Sequence, residues 1–214
     1  MSGKMVAGGR AASIPRRDRR AERREATRAE ILVAAWGLVH ERGLAELSLR
    51  DLGERVGMRA QSLYSYFESK HAIYDAMFEE GNRELLRRME AARDSGADAE
   101  DRFRRAASTM IDFALEDPER SQLLFLRSLP GFQPSPAAYE PAVQVLQIAR
   151  DGLAELGVTR PELLDLWTAS VSGLTQQQLA DEPGGHRWRK LLDDLIDMYL
   201  AFARPPAPRK RGTR

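Results

Sequence analysis

A short polar stretch in the first third of the chain carries side chains suited to nucleic acid. Arg59, Gln61 and Ser62 come first, and Ser65 and Tyr66 follow. Guanidinium, amide and hydroxyl groups are the ones that proteins use against base edges in the major groove and against phosphate oxygens. Because these groups fit a packed core poorly, the stretch predicts a surface that contacts DNA.

Two short helices separated by Gly57 would position these side chains. Ser48 is placed as an N-cap, with Asp51 three residues later at capping-box spacing. Apolar residues recur every three or four positions in both segments, so each helix buries one face. These residues are Leu49, Leu52 and Val56 in the first segment and Ala60, Leu63, Tyr64 and Phe67 in the second. The pattern predicts a helix-turn-helix, although an ordinary helical hairpin would share it.

Neighbouring segments favour the DNA-binding interpretation. Thr27 and Glu30 have the spacing of another capping box, which predicts a helix that begins at Thr27 and ends at Gly43. A third helix packed on the pair would complete the core of a minimal helix-turn-helix domain. Ser69 is placed to cap a further helix that begins at Lys70, where a lysine and a helix N-terminus together suit a phosphate.

Residues 27–78 resemble the DNA-binding domain of the TetR/AcrR family of bacterial transcriptional repressors. The resemblance is strongest from Gly57 to Phe67 and at Ser69-Lys70, where the run Leu-Tyr-x-x-Phe-x-x-Lys is the most specific part of the family's pattern. The other matching segments are Ile31 to Ala35, Gly43, and Leu49 to Val56.

Two residues depart from the family's pattern. Gly53 stands where the family has an alanine inside the first helix of the pair, which should cost about 1 kcal/mol of helix propensity. Arg59 stands where many members have a Ser or Thr cap, so the sequence does not fix the residue at which the second helix begins. Arg59 also places a long cation beside the DNA.

The resemblance implies two sets of DNA contacts. Phosphates would be held by Ser48, Tyr64, Tyr66 and Lys70. Bases would be met by Arg59, Ala60, Gln61 and Ser62.

Composition fits a cytoplasmic regulator. The 214 residues include no cysteine, so disulfides and thiol redox sensing are excluded. The chain shows no apolar run long enough to cross a membrane and no signal-peptide pattern, from which we expect a cytoplasmic protein. Only three histidines occur, far apart in sequence, and they predict no metal site. We expect no cofactor.

Charge is segregated along the chain. Residues 1–30 hold nine Lys/Arg against four Asp/Glu, and residues 204–214 hold five basic residues and no acidic one. Residues 71–203 carry 14 basic against 23 acidic residues. A mildly acidic body with basic ends would be drawn to DNA by its ends.

Both ends are predicted to be disordered, as a basic arm over 1–25 and a basic tail over 204–214. The arginines of the arm have two interpretations, a solvated segment or an arm that enters the minor groove beside the recognition helix. They are Arg16, Arg17, Arg19, Arg20, Arg23 and Arg24.

The remaining chain is a succession of apolar-periodic segments with no convincing strand. We therefore expect an all-α protein of about nine helices. A three-helix helix-turn-helix domain would occupy residues 26–70, and a larger helical domain for ligand binding and dimerisation would occupy residues 71–203.

The last two helices predict a dimer interface. Their apolar residues recur at heptad-like spacing, and pairing two such hairpins would form the four-helix interface by which the resembling family dimerises. Burial inside a single chain is the alternative explanation. The interface candidates are Leu163, Val171, Leu174, Trp188, Leu192, Leu195, Tyr199 and Phe202.

The resemblance also implies a sensor. In the family a small ligand enters a cavity between the fourth and eighth helices and changes the spacing of the two DNA-binding domains. Aromatic and methionine side chains of the middle helices could line such a cavity, although each taken singly fits an ordinary core better. The candidates are Phe103, Met110, Phe113, Phe125, Tyr139 and Trp167. They predict an apolar or aromatic effector.

An enzyme is the competing class of protein. The sequence contains no Gly-rich phosphate loop, no nucleophile elbow and no cluster of metal ligands. We therefore expect a non-enzymatic one-component regulator. It would act as a repressor that binds a near-palindromic DNA operator as a homodimer and is released by its effector. The alternative is an architectural or co-regulator DNA-binding protein with no effector.

Overall fold

The computed structural model describes residues 16–126 and 128–204, and throughout these ranges the regular structure is helical. The nine α-helices are α1 Arg16–Arg42, α2 Leu49–Arg55, α3 Ala60–Leu63, α4 Lys70–Asp94, α5 Ala99–Glu116, α6 Pro118–Phe125, α7 Pro136–Glu155, α8 Pro161–Asp181 and α9 Leu192–Ala203. Two 3-10 turns lie at Leu44–Glu46 and Arg189–Leu191. The all-α prediction is confirmed. None of the helices in these ranges is long and apolar enough to span a bilayer.

Most helices begin at a local signal in the sequence. Five N-cap side chains accept a hydrogen bond from the backbone N–H three residues later, each a contribution of about 1 kcal/mol. These caps are Ser48, Ser69, Asp98, Asp117 and Ser135. Proline is the first residue of α6, α7 and α8. At that position a backbone N–H would have no partner within the helix, so the lack of one in proline costs no hydrogen bond.

Helix α1 begins earlier than the sequence pattern predicted. The capping box at Thr27 was wrong, because Thr27 lies inside the helix and its hydroxyl donates to the carbonyl of Arg23 at 3.0 Å. The disorder expected of residues 1–25 is wrong for 16–25. Six arginines, two glutamates and one alanine make up nine of these ten residues, and all three residue types are strong helix formers. Residues 1–15 and 205–214 lie outside the described part of the chain.

The chain begins its last helix later than predicted, at Leu192 rather than near residue 186. Side chains at the end of α8 hold the intervening backbone. The amide oxygen of Gln178 accepts from the N–H groups of Trp188 and Arg189 at 2.9 and 3.1 Å. The carboxylate of Glu182 accepts two further N–H groups, those of residues 186 and 187. These bonds give the backbone N–H groups of residues 186–189 acceptors outside a helix, so the segment has no need of helical hydrogen bonds.

Two buried clusters make up most of the core. The first joins α1, α2 and α3 to the start of α4 through Ile31, Leu52, Leu63 and Tyr74, each at most 2% exposed. The second joins α5, α7, α8 and α9. Helix α4 is common to both halves of the molecule, because Met77 lies in the first cluster while Leu85 and Met89 form a smaller one with residues of α5 and α7.

Polar contacts also tie the N-terminal helices to the larger domain. His40, in the last turn of α1, has its Nε2 atom 2.9 Å from Oδ2 of Asp117 at the start of α6. Trp36 donates from its indole N–H to Glu80 of α4 at 3.2 Å. His40, Asp117 and Glu119 are also the one group of His and carboxylate side chains, among the described residues, whose donor atoms come within 4.8 Å of one another. Two members of the group, His40 and Asp117, are the ones joined by the direct hydrogen bond.

Candidate nucleic-acid interface

Helices α2 and α3 meet across a tight turn. Gly57 has φ of 70°, a backbone conformation that L side chains rarely adopt. The N–H of Met58 then donates to the carbonyl of Gly53 at 2.8 Å, which closes the turn. The two helices are thereby held at close range, as the helix-turn-helix prediction requires.

Helix α3 is shorter than predicted. It ends at Leu63, and the chain continues as turns through Tyr66 rather than as a helix to Phe67. The hydroxyl of Ser65 donates to the carbonyl of Ser62 at 2.7 Å, and such local bonding competes with helical hydrogen bonds. Leu63 and Phe67 are buried as expected, but Tyr64 is 48% exposed, so its predicted burial is wrong.

The residues predicted to meet bases share one open surface. Arg59, Gln61 and Ser62 are exposed, and Ala60 is half-buried between them. They occupy the N-cap and the first three positions of α3, and Leu63, at the end of the helix, is its buried residue. Their donors and acceptors are therefore accessible to a base edge.

The residues predicted to hold phosphates are placed less uniformly. Tyr64 is exposed, whereas Ser48, Tyr66 and Lys70 are half-buried. The hydroxyl of Ser48 already accepts from the N–H of Asp51 at 3.1 Å, so it retains its own proton as a donor.

Lys70 is held at the beginning of α4. Its Nζ atom donates to the carbonyl of Ala45 at 3.0 Å and lies 5.5 Å from the centre of the Tyr74 ring. One of its three donors is thus used within the chain, and two are available to a phosphate. Beneath it, Tyr74 donates to the carbonyl of Leu44, and burial raises the pKa of Tyr74 to about 12.

Two arginines of α1 contact this surface: Arg28 was not predicted as a site residue, and Arg24 was predicted only as one of the arginines of the basic arm. Arg28 donates to the carbonyl of Tyr66, and its guanidinium carbon lies 4.2 Å from the ring centre of Phe67. Arg24, one turn earlier, lies 5.4 Å from the ring centre of Tyr66. Their spacing of four residues on a helix is the signal that could have identified them.

A cavity of about 90 Å³, partly open to solvent, lies between α4, α5, α7 and α8. Three of the six predicted ligand residues, Phe103, Met110 and Trp167, line it. The rings of Phe103 and Trp167 pack with their centres 4.9 Å apart. The sequence therefore identified part of the lining of this cavity.

The other three ligand candidates lie elsewhere. Phe125 and Tyr139 line a separate groove between α6 and the start of α7. Phe113 lines neither space, since the guanidinium of Arg120 covers its ring at 3.6 Å from the centre.

Half of the predicted interface residues are committed to the chain's own core. Leu163, Val171, Leu192 and Tyr199 are each at most 6% exposed, and the hydroxyl of Tyr199 donates to the carbonyl of Leu163 at 2.5 Å. These four cannot form the contact surface of a dimer. The heptad spacing marked the inward face of the helices because intramolecular packing has the same period.

An outward apolar surface nevertheless exists on α8 and α9. Phe202 is 65% exposed, and Leu174, Trp188 and Leu195 are half-buried. Exposed apolar residues outside the set of interface candidates extend this surface. They are Leu166, Leu191 and Met198, with exposures of 45%, 42% and 66%.

Comparisons with known proteins agree with this geometry. Residues 31–77 match the family model of bacterial regulatory proteins of the tetR family. The nucleoid occlusion factor SlmA of Haemophilus influenzae is 29% identical over 98 residues, which are 45% of this chain and 45% of that relative's length. The match thus spans less than half of the curated relative.

Solved structures share the fold over a larger part of the chain. The putative regulatory protein SCO4313 superposes with a TM-score of 0.71 at 23% identity, over 88% of this chain and all of that one. The TetR-family transcriptional regulator PfmR from Thermus thermophilus does so with a TM-score of 0.60 at 20% identity, over 80% of this chain and 97% of that one. Residues 31–77 therefore match the helix-turn-helix DNA-binding domain of the tetR family of bacterial regulatory proteins, and the described chain shares the all-helical fold of these solved structures.

Proposed function

We propose that this protein is a one-component repressor that binds a near-palindromic operator as a homodimer and is released by a small apolar or aromatic effector. The supporting observation is that the chain contains an exposed helix-turn-helix surface and an apolar cavity, and that a single helix connects these two sites. Helix α4 carries Lys70 at its first position and Met89 in the cavity wall. The family's fold favours a regulator over an enzyme, and such a regulator would act in the cytoplasm, where bacterial DNA lies.

Helix α4 is the element that would couple the two sites. An effector that moves the wall of the cavity near Met89 would shift the far end of the same rigid helix, where Lys70 and Tyr74 support the DNA-binding surface. Coupling requires the effector to prefer the conformation that does not bind DNA. A 100-fold preference corresponds to about 2.7 kcal/mol.

A homodimer would be formed through the outward face of α8 and α9. Met198 and Phe202 are exposed apolar residues one turn apart on α9. Among the described residues, no atom lies within 4 Å of the position that a Cβ of Gly173 would take, so a second helix could approach closely. A two-fold dimer would place its recognition helices about 34–36 Å apart, one turn of DNA. The operator would then be a near-palindrome.

The similarity to SlmA supports a second candidate. That relative is a nucleoid occlusion factor, and the matching segment is 45% of this chain. A DNA-bound architectural or co-regulator protein without an effector is therefore the alternative. The two functions differ in whether a small molecule changes the affinity for DNA.

The first experiment is a genomic pull-down in moderate salt with the purified full chain, followed by sequencing of the recovered fragments. A shared near-palindrome is expected for the wild type. The Gln61→Ala variant should recover it less selectively, whereas Arg150→Gln, on an exposed part of α7, should behave as the wild type. Recovery of fragments with no shared sequence would support the architectural function, and failure to recover DNA would contradict both functions.

A further inference from the structure

We propose that the cavity between α4, α5, α7 and α8 takes an amphipathic carboxylate, with an apolar or aromatic body inside and its carboxylate on Arg93 and Arg102. This inference rests on the proposed function in one respect, which is that the ligand of the cavity is taken to be the effector. Binding itself can be measured without DNA.

The lining of the cavity is polarised. Its interior is formed by apolar side chains that include Met89, Phe103, Ile148, Trp167 and Val171. An apolar or aromatic body is the chemistry that such walls bind.

The three charged residues in the lining lie together at one end. Arg93 is in the last turn of α4, Arg102 is in the first turns of α5, and Glu155 is the last residue of α7. These helix ends meet beside the short connection between α4 and α5. The end of the cavity therefore carries two cations against one lining anion.

The two guanidinium groups have hydrogen-bonding capacity beyond their contacts within the chain. Arg102 donates from one terminal nitrogen to Glu155 at 2.7 Å. Arg93 faces Asp94, its neighbour in sequence, at 3.5 Å, which is long for a charge-assisted hydrogen bond. Each guanidinium has five N–H donors in a planar fork that matches a carboxylate. A ligand carboxylate at this end could bind Arg93 and share Arg102 with Glu155.

Other head groups fit this end less well. A ligand ammonium would lie beside two guanidinium groups and be repelled by them. A neutral head group would gain neither the ionic attraction nor the bidentate geometry. The position of the charges thus selects an acid among molecules with the same body.

The test compares ligands that share a body and differ in the head group, by isothermal titration of the full chain without DNA. The probes are 4-phenylbutyrate, 4-phenyl-1-butanol and 4-phenylbutylamine, with octanoate and octanol as an aliphatic pair. The carboxylates should bind at least about 10-fold more tightly than their alcohols, and the amine should bind most weakly.

Variants locate the head group. Arg93→Gln and Arg102→Gln should each lower the carboxylate affinity several-fold while leaving the affinity for the alcohol unchanged, which also reports that the cavity has folded. Arg105→Gln is the matched control, because Arg105 lies on the same helix as Arg102, pairs with Asp101 and does not line the cavity. The control should keep the full preference for the carboxylate.

Three outcomes would overturn the proposal: equal affinity for acid and alcohol in the wild type, no binding of either, or a preference for the acid that persists when both arginines are replaced. The proposed function is tested separately by adding 4-phenylbutyrate to a complex of the protein with its operator. An acid that binds through Arg93 and Arg102 without weakening that complex would support the binding site and contradict its role as the effector site.

Discussion

The backbone of Gly53 in α2 lies directly against the carbonyl of Met58. A Cβ atom at Gly53 would be 2.7 Å from the Met58 oxygen and 3.2 Å from the backbone nitrogen of Ala60. Since backbone atoms cannot move aside as a flexible side chain can, the two helices of the DNA-binding motif approach each other this closely only with glycine at position 53. The departure from the family's alanine, expected to cost helix propensity, thus has a packing reason.

Gly53→Ala should therefore destabilise the protein despite the gain of about 1 kcal/mol in helix propensity. We expect a net loss of about 1–3 kcal/mol in the free energy of unfolding, as for overpacking elsewhere, together with weaker operator binding. Urea denaturation and fluorescence anisotropy measure the two effects. The control is Gly37→Ala in α1, where the new Cβ would meet only the end of the Arg55 side chain, at 2.8 Å. Equal stability of the two variants would contradict the packing argument.

Replacing Lys70 by alanine should change the affinity for all DNA, whereas replacing Gln61 by alanine should change the discrimination between DNA sequences. Lys70→Ala removes a cation that is proposed to contact a phosphate and no base. The variant should therefore bind operator and random DNA more weakly by the same factor, and the slope of log affinity against log salt concentration should fall by about 1. Gln61→Ala should relax discrimination at one base pair by about 1–3 kcal/mol. Titrations against an operator and its single-base variants separate the two effects. If both variants affected operator and random DNA alike, the assigned roles would be wrong.

The arginines at the start of α1 should contribute through phosphates if they bind DNA. Gln is a good helix former, so replacing Arg19, Arg20 and Arg23 by Gln should preserve the helix that holds them. For every phosphate that is no longer neutralised, the log–log salt slope of DNA binding should fall by about 0.9. Affinities at several salt concentrations give the slope. An unchanged slope would favour the solvated interpretation of these arginines, and Arg150→Gln is the control.

A charge placed on the outward face of α9 should dissociate the proposed dimer. Met198→Glu and Phe202→Glu change side chains that are 66% and 65% exposed, so the fold of the single chain should be preserved. Sedimentation equilibrium at micromolar concentration should show monomers for both variants and a dimer for the wild type. Val33→Glu, 70% exposed on α1, should remain dimeric. A wild type that sediments as a monomer would rule out this interface.

Tyr74 should make stability depend on alkaline pH. Its pKa is raised to about 12 by burial, above the ordinary value of 10, so the folded state holds the phenolic proton more tightly than the unfolded state. The resulting stabilisation is complete below pH 10 and is lost as the pH rises through 12. Two pKa units correspond to about 3 kcal/mol.

Tyr74→Phe should consequently be less stable than the wild type at pH 8, where it lacks the hydrogen bond to Leu44, and should lose less stability above pH 10. Urea denaturation at a series of pH values gives both quantities. Tyr64→Phe is the matched control, because Tyr64 is exposed and its replacement should leave the alkaline slope unchanged. Parallel stability curves for Tyr74→Phe and the wild type would contradict the role of burial.

The sequence by itself determined the features that depend on residues a few positions apart. The caps at Ser48 and Ser69 and the helix start at Lys70 were predicted and are present, as was the proline start of α8 at Pro161. Each rests on one side chain and the backbone beside it, or on one residue's φ. The exposure of Gln61 and Ser62 was predictable for the same reason, since it follows from the apolar period of one short helix.

Tertiary structure decided everything that depends on contacts between distant segments. Only the packed chain shows that Gly53 faces Met58, that Leu192 is buried while Met198 is exposed, and that Arg102 lies beside Glu155. A helix with apolar residues on more than one side has no local signal for which side faces inward. That choice is made by the neighbouring helices, because the face that buries most apolar surface against them is the one removed from water.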